Sequence, residues 1–320
     1  MENSDEVFIM GHRNEDFDAV GAAMGVAKMA QKLGLPTHVV LSDVNSGIDK
    51  FVDMAKEKGI FKEIFVSERE IPQSIGNNPL LVVVDTHIPH LTAVPSLISR
   101  ISEVVVIDHH RKSENSIEKP TLIYLEPSAS SSSELVTELL MYFDDALALG
   151  RYEATALYAG IVVDTKNFTV QSGVRTFEAA AYLRRGGADP VLVRRLFSTD
   201  YETNLLIAKT ESAAKLYNGG LIVTTCPESE NNTSIIAAQV ADAMLRIEDV
   251  RMSMVLFHIG KDGVGISARS TGNLNVQVIM EEFGGGGHQN VAGAQLKGVD
   301  IHDIEDKLVM VCKKYLEENG

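Results

Sequence analysis

Six side chains of the kinds that bind metal ions recur along the chain, at or beside the ends of apolar runs. They are His12, Asp16, Asp18, Asp85, His109 and Asp164. Charged groups placed directly after buried runs are costly to leave unpaired, and a bound metal ion is a common way to satisfy them. Because six ligands are too many for one ion and suit two, the pattern predicts a two-metal centre, for which hydrolysis at phosphorus is typical chemistry.

The spacing of these residues predicts how two ions would share them. In an extended or loop segment, the side chains of Asp16 and Asp18 lie on one side, so we expect them to serve neighbouring ions. His12 would join Asp16, Asp85 would bridge both ions, and the other two residues would complete the second site. Imidazole and carboxylate ligands without a thiolate favour Mn²⁺, or another borderline-hard divalent ion, over structural zinc. Taken singly, each of these residues would be interpreted as a helix cap or a polar turn residue. The set of six together favours a metal-binding site.

A doubled histidine, Asp108-His109-His110, follows the apolar run Val104–Ile107. One histidine can bind metal while Asp108 orients an imidazole. The other can face a phosphate and donate a hydrogen bond or a proton to it. The alternative is a polar turn after a strand, which fits two histidines behind four apolar residues less well.

A candidate anion site occurs late in the chain, where Gly284–Gly287 precede His288. Glycines permit close approach of the backbone to a ligand, and we expect their amides to cradle a phosphate at the start of a helix. Arg269 adds a guanidinium suited to bidentate phosphate contact. Taken singly, the glycine run would be a flexible turn and Arg269 a surface residue.

Composition limits the function. The chain has 320 residues, 45% of them hydrophobic, which is enough for two packed domains. A formal net charge of −15 disfavours binding to long nucleic acid, which needs a broad basic face. A small anionic substrate held through metal ions stays compatible, because bound cations dominate the local field.

The sequence also bears on location. Cys226 and Cys312 form no zinc spacing, so a reduced, cytoplasmic setting is expected. No apolar run reaches the roughly 18 residues that span a bilayer, and no signal peptide precedes the first strand, so no membrane contact is expected from this segment. We expect either a standalone enzyme or a module cut from a larger chain.

Strand-like and helix-like segments alternate in the first part of the chain, which predicts an α/β fold. The predicted strands are Val7–Met10, Thr37–Leu41, Leu80–Val84 and Glu103–Ile107, and the predicted helices are Ala19–Leu33 and Ile48–Lys58. Continuous apolar strands separated by helices indicate a parallel sheet buried on both faces. Ligands bind beyond the carboxyl ends of such strands, where His12, Asp85 and His109 fall.

The middle of the chain is predicted to be largely helical. Ser131 and Glu134 have the spacing of a capping box, which indicates a helix start. The periodicity of Ala154–Val163 leaves helix and strand open. Further helices are predicted at Thr176–Arg185, Pro190–Phe197 and Glu202–Leu216.

A smaller α/β domain is predicted after a break near Asn218–Gly220. Its expected strands are Leu221–Thr225, Met252–Ile259, Gly263–Ala268 as a hairpin partner, and Ala294–Leu296; its expected helices are Val276–Glu282 and Ile304–Glu318. The predicted division is a metal-binding domain at residues 1–200, a helical linker at 201–218 and a substrate-binding domain at 219–320.

In their order these motifs resemble the DHH phosphoesterase superfamily. The matching segments are Gly11-His12 with Asp16 and Asp18, Val84-Asp85-Thr86-His87, Asp108-His109-His110 and Gly160–Asp164. The glycine run with His288 is similar to the signature of the DHHA1 subfamily. Over essentially the whole chain, the resemblance implies a DHH domain joined to a DHHA1 domain, with a two-manganese active site in the cleft between them.

The resemblance implies a role for each matched residue, and a homodimer as the assembly. One metal ion would take His12, Asp16 and Asp85, and the other would take Asp18, Asp85, His109 and Asp164. His110 would contact the scissile phosphate, with Asp108 beside it in the catalytic group. Substrate would be bound by Arg269, Gly285, Gly286, Gly287 and His288.

The stretch from Asp164 to Arg185 is similar to the catalytic part of GdpP-type cyclic-di-AMP phosphodiesterases. That likeness implies in-line attack by a metal-activated hydroxide, with cyclic di-AMP opened to linear pApA and further cleavage to AMP left open. In that family the module follows membrane helices, a PAS domain and a degenerate GGDEF domain, so a fragment, the cytoplasmic part of a membrane-anchored protein or a shortened relative is expected. The sequence departs from the family motifs at two places. The first is Glu15, where the family motif usually has proline, and the second is Val291–Ala294.

Other functions stay open. A nanoRNase or pAp phosphatase of the standalone DHH-DHHA1 type would cleave short oligoribonucleotides, and the short N-terminus favours it. A family II pyrophosphatase shares the metal motifs but not the glycine-histidine signature, and the short, acidic chain disfavours RecJ-like exonuclease action. A nucleotide-sensing module without turnover is disfavoured because it would not need a complete ligand set.

Overall fold

A computed structural model describes residues 1–42, 47–59, 64–73, 75–229, 233–260 and 262–319. They form two compact units, Met1–Ser198 and Thr199–Gly320. Within the described ranges, no helix has both the length and the apolar character needed to cross a membrane.

The first unit is built on a six-stranded sheet in the order β3-β2-β1-β4-β5-β6, with every pair parallel. Its strands are β1 (Glu6–Met10), β2 (Thr37–Leu41), β3 (Phe65–Ser67), β4 (Pro79–Val84), β5 (Glu103–Asp108) and β6 (Leu122–Leu125). Its helices are α1 (Phe17–Lys32), α2 (Asp49–Glu57), α3 (Ser96–Arg100), α4 (Ser132–Phe143), α5 (Arg151–Asp164), α6 (Val174–Arg185) and α7 (Pro190–Leu196), with 3₁₀ turns at Glu68–Glu70 and Pro89–Leu91.

Strand β4 shows why the central strands read as continuous apolar runs. Val82 and Val84 pack into a core with residues of α1 and α4, whereas Leu81 and Val83 pack into a separate core on the other face. Successive side chains of a strand face opposite sides, so a sheet covered on both faces needs apolar residues at every position. The predicted α/β class with a parallel sheet is confirmed.

Helices α1 and α5 approach closely because glycine stands at their contact. A Cβ on Gly21 would lie 2.6 Å from the carbonyl oxygen of Ala156, and a Cβ on Gly160 would lie 2.9 Å from Cα of Asp18. The segment that periodicity left undecided is thus the helix α5, and Asp164 is its last residue. Asp164 is therefore presented from the end of a helix and not from the end of a strand.

The second unit carries a six-stranded sheet in the order β11-β12-β10-β9-β8-β7, in which only the β8–β9 pair is parallel. Its strands are β7 (Lys215–Tyr217), β8 (Leu221–Thr225), β9 (Met252–Ile259), β10 (Gly263–Ser270), β11 (Gly286–His288) and β12 (Val291–Lys297). Its helices are α8 (Tyr201–Ser212), α9 (Thr233–Met244), α10 (Val276–Glu281) and α11 (Ile301–Asn319). The smaller α/β domain and the β9–β10 hairpin were predicted from the sequence, whereas the helix α9 was not.

Residues 201–217 belong to this second unit. Helix α8 ends at Ser212, before the predicted end at Leu216, because Lys215–Tyr217 pairs as β7 along β8. The domain boundaries predicted after residues 200 and 218 stay predictions.

Candidate metal centre

His12, Asp16 and Asp85 form the first group of candidate ligands. His12 follows β1, and its Nε2 lies 3.3 Å from Oδ2 of Asp85 and 3.8 Å from Oδ1 of Asp16. Asp16 also caps α1, since its Oδ1 accepts hydrogen bonds from the amides of Asp18 and Ala19 at 2.9 and 3.1 Å. Asp16 has the extended backbone of an N-cap residue, but the expected extended or loop segment does not reach Asp18, which lies in the first turn of α1.

Asp18, His109 and Asp164 form the second group. Nε2 of His109 lies 3.1 Å from Oδ2 of Asp164 and 4.0 Å from Oδ2 of Asp18. Asp18 is fully buried, and its two oxygens accept from the amides of Ser132 and Ser133 at 2.6 and 2.7 Å. These amides open α4, so the positive end of the helix dipole faces the carboxylate.

Asp85 lies between the two groups. Oδ2 is 3.3 Å from His12, and Oδ1 is 3.5 Å from Nε2 of His109. Its backbone is left-handed (φ 58°), a conformation that costs a non-glycine residue about 1–2 kcal/mol and that concentrates at functional sites. A hydrogen bond of 3.0 Å from its amide to Ile107 and one of 3.2 Å from Oγ of Ser132 hold it there.

Both groups have the donor set and the spacing of a cation site. In each, one ligand atom from every residue lies within 4.8 Å of the others. Among the described residues, Nε2 of His109 is a buried nitrogen without an assigned hydrogen-bond partner, with the Asp164 carboxylate 3.1 Å away. A buried ring nitrogen that faces three carboxylates fits a metal ion, and the absence of thiolates suits a harder divalent ion. That these six residues are ligands stays a prediction.

The pKa values of the clustered carboxylates and histidines are shifted by burial and by their neighbours. Burial raises the pKa of Asp18, and repulsion from Asp85 and Asp164 raises it further. Burial alone would lower the pKa of His12, but hydrogen bonds to Asp16 and Asp85 outweigh it and raise the pKa to about 10. Both shifts show that positive charge is favoured among these carboxylates.

Asp108 lies behind the second group and orients His110. Its Oδ1 accepts from Nδ1 of His110 at 2.7 Å and from the amide of His110 at 3.1 Å. This contact raises the pKa of His110 to about 9 against its partial burial. Burial opposes ionisation of Asp108, but hydrogen bonds from His110 and His87 lower its pKa to about 2. With Nδ1 taken by Asp108, Nε2 of His110 is the nitrogen left to meet a substrate.

The structure also shows residues that the sequence did not single out. Ser132 and Ser133 bond the candidate ligands directly, although Ser131 was noted only for its capping spacing. Ser131 does cap α4 through the amide of Glu134 at 3.0 Å, but the Glu134 carboxylate bonds Ser130 instead of closing the box.

Glu15, one of the expected departures from the family pattern, is buried. Its carboxylate accepts from the amide and the hydroxyl of Ser42 at 2.6 and 2.7 Å. Oγ of Ser42 also lies 2.6 Å from the carbonyl oxygen of Arg13, which competes with Glu15 for the single hydroxyl proton. The Glu15 carboxylate therefore connects the loop between β1 and α1 to the end of β2.

The substrate-binding residues predicted for the second unit lie on its sheet. The glycine run follows α10, and its last two residues begin β11, so the expected position at a helix start is wrong. A Cβ on Gly285 would lie 2.7 Å from Cα of Ala294, and one on Gly287 would lie 2.5 Å from Cα of Ala292, whereas Gly286 faces open space. Close packing on β12 thus explains Gly285 and Gly287.

Arg269 and His288 stand at the same level of this sheet, because both pair with Val291 of β12 from its two sides. His288 is exposed. The guanidinium of Arg269 bonds Asp242 at 3.3 Å, Ser267 at 3.2 Å and the carbonyl of Ala268 at 3.0 Å. Phosphate contact by Arg269 would therefore compete with these bonds.

Comparison with known proteins identifies the family. The model of the DHH family, N-terminal domain, matches residues 6–161, and that of the DHHA1 domain matches residues 218–317. The chain is a DHH–DHHA1 protein. The DHH match ends at residue 161, three residues before Asp164.

This DHH–DHHA1 chain matches some relatives over about half of their length and others over nearly all of it. It is 42% identical over 315 residues to the cyclic-di-AMP phosphodiesterase PdeA of Listeria monocytogenes, covering 98% of this chain and 48% of PdeA, so it spans about half of that relative. It is 26% identical to the bifunctional oligoribonuclease and PAP phosphatase NrnA of Thermus thermophilus, covering 98% of this chain and 91% of NrnA. An exopolyphosphatase-related protein from Bacteroides fragilis shares the fold, with a TM-score of 0.78 at 20% identity over 99% of this chain and 93% of that one.

Proposed function

We propose that this chain is a phosphodiesterase that uses two divalent cations, favoured to be Mn²⁺, to hydrolyse cyclic di-AMP to linear pApA. The observation that carries the proposal is the buried Asp85 carboxylate, which offers one oxygen to each of two ligand groups. The similarity to PdeA over nearly the whole chain supports the substrate.

The residues divide the work of such a reaction. His12, Asp16 and Asp85 would hold one ion, and Asp18, Asp85, His109 and Asp164 the other. Bound divalent ions supply Lewis acidity and lower the pKa of a coordinated water. His110, held by Asp108, presents Nε2 to the phosphate and can donate a hydrogen bond or a proton there.

Product chromatography with Mn²⁺ on cyclic di-AMP, pApA and cyclic di-GMP tests the substrate. We expect cyclic di-AMP to be opened to pApA faster than cyclic di-GMP is opened. No turnover of cyclic di-AMP, with metal bound and the chain folded, would contradict the proposal.

The alternative is a nanoRNase or pAp phosphatase. The observation in its favour is the coverage of NrnA, of which this chain spans 91%. Under this alternative, pApA and 3′-phosphoadenosine 5′-phosphate would be cleaved far faster than cyclic di-AMP in the same assay.

We also propose a homodimer. Exposed apolar side chains flank the open edge of the first sheet, beside a groove of about 1040 Å³: Leu122, Ile123, Leu139 and Tyr142. Patches of this kind are typical of association surfaces. Sedimentation velocity would give twice the chain mass of 34.8 kDa if the proposal holds.

A further inference from the structure

His87 lies behind the candidate metal centre with its side chain almost fully buried. Its Nδ1 is 2.5 Å from Oδ2 of Asp108, and its Nε2 accepts a hydrogen bond of 2.9 Å from the backbone amide of Ser113. Its carbonyl oxygen accepts from the amide of Ile117 at 2.8 Å. One residue thus contacts both the carboxylate behind the doubled histidine and the loop that follows it.

The contact with Ser113 decides which ring nitrogen of His87 carries a proton. A backbone amide can only donate, so Nε2 must present its lone pair. The ring proton then lies on Nδ1, where Asp108 accepts it. His87 is therefore held as a donor to Asp108.

The two oxygens of Asp108 have separate partners. Oδ2 meets His87, while Oδ1 accepts from Nδ1 of His110 at 2.7 Å. Without the donor at Oδ2 the carboxylate could turn about its Cβ–Cγ bond, and His110 would lose a fixed partner. This matters because the His110 side chain is 57% exposed, so that, apart from its contact with the His109 ring, Asp108 is the partner that fixes its orientation.

We propose that His87 is a positioning residue, which fixes Asp108 and through it the His110 imidazole that meets the substrate phosphate. The inference rests on the proposed phosphodiesterase function, because it assigns His87 a part in that reaction. The competing explanation is that His87 only fills buried space.

Three substitutions separate the two explanations. In His87→Asn, the side-chain amide nitrogen can take the place of Nδ1 and donate to Asp108. In His87→Gln, the side-chain amide nitrogen lies where Nε2 was. His87→Leu fills the space without a donor. With Mn²⁺ and cyclic di-AMP, we expect kcat of His87→Leu to fall about 10–100-fold, as is typical for partners behind a metal site, with KM little changed. His87→Asn should recover most of the loss and His87→Gln should not.

The controls are chosen so that each result decides. Mn²⁺ affinity and thermal unfolding are measured for every variant, and the exposed His90→Leu serves as the matched control. If His87→Leu does not fold, the comparison of the Asn and Gln variants remains. Equal kcat in all three variants, or a loss confined to KM, would overturn the positioning role.

A measurement on the unsubstituted chain separates this inference from the proposed activity. Nitrogen-15 NMR of the histidine rings should show His87 protonated at Nδ1 and unprotonated at Nε2, with the signal assigned by its loss in His87→Asn. The opposite tautomer would overturn the inference whatever the substrate. The expected tautomer in a chain that leaves cyclic di-AMP intact would count against the proposed function alone, and the variants would then be compared on pApA.

Discussion

At the scale of single residues, Asp85 is tightly constrained in its backbone conformation, its burial and the contacts of both carboxylate oxygens. It is buried, its backbone is left-handed, and each of its oxygens faces a different histidine. The same backbone conformation is accessible to asparagine, which permits a substitution that changes charge while leaving the turn intact.

We expect Asp85→Asn to bind fewer than two Mn²⁺ ions and to lose at least about 100-fold in activity, beyond the 10–100-fold typical of residues behind a metal site. The reason is that a neutral amide cannot bridge two cations. Metal content by mass spectrometry and initial rates check this. The exposed Asp53→Asn is the control, and a variant that keeps both ions and full activity would contradict the shared role.

The protons held at the metal-free site predict a pH dependence of stability. His12 and His110 have folded-state pKa values of about 10 and about 9, above the ordinary 6.5. A raised pKa stabilises the folded state fully below pH 6.5, and this contribution is lost as pH rises toward 9 and 10. We expect the Tm of the metal-free protein to fall between pH 6.5 and 9, and Mn²⁺ to flatten the decline by replacing protons. A Tm that rises over this interval without metal would contradict the assignment.

The sequence predicted which residues gather at the site better than it predicted how they are held. Residue type and position were enough to bring His12, Asp85 and His109 together, because strands β1, β4 and β5 end at one edge of the sheet. Asp16 and Asp18 at the start of α1 and Asp164 at the end of α5 were selected by residue type and motif. The backbone amides of Ser132 and Ser133 and the tautomer of His87 could not be predicted. Those contacts depend on long-range packing, and no residue type marks them.

At the scale of elements, the start of α4 acts on the site through its backbone. The amide of Ser132 donates to Asp18, and the hydroxyl of Ser132 donates to Asp85. Ser132 is the first residue of the helix, where proline is tolerated since that amide has no partner inside the helix.

Two substitutions at this position separate the amide from the hydroxyl. We expect Ser132→Ala to weaken Mn²⁺ binding about tenfold or less and Ser132→Pro to weaken it further, because only proline also removes the amide donor to Asp18. Titration with Mn²⁺ followed by electron paramagnetic resonance gives the affinities, and circular dichroism checks that the helix persists. Equal affinities for the two variants would argue that the amide does not matter.

Element prediction failed where local pattern and tertiary pairing disagree. Helix α5 carries small apolar residues on every side because it is buried against α1, so its periodicity is weak. The glycine strand β11 has no side-chain signal, and only its pairing with β12 defines it. Long apolar strands such as β4 and β9 were predicted to within a residue because their pattern is dictated by burial alone.

At the scale of the whole molecule, the chain has separate cores. Within the described ranges, each buried apolar cluster draws its residues from only one of the two units. All six candidate ligands belong to Met1–Ser198.

We therefore expect a fragment of residues 1–198 to fold and to bind Mn²⁺ with an affinity close to that of the full chain. Calorimetric titration of both proteins checks this, with thermal unfolding as the test of folding. A folded fragment that binds no metal would show that the ligand set is incomplete within the first unit.

The spread of the ligands along the first unit bears on how the protein is made. His12 and Asp164 are joined by strands and helices that must all be in place before both groups of ligands exist. At about 5–20 residues per second, a ribosome needs roughly ten seconds or more to extend the chain from one to the other. A short metal-binding loop can capture an ion on the nascent chain, whereas this centre can be loaded only after α5 has emerged and docked. Metal choice would thus be made by the finished domain, from whatever ions the cell then offers.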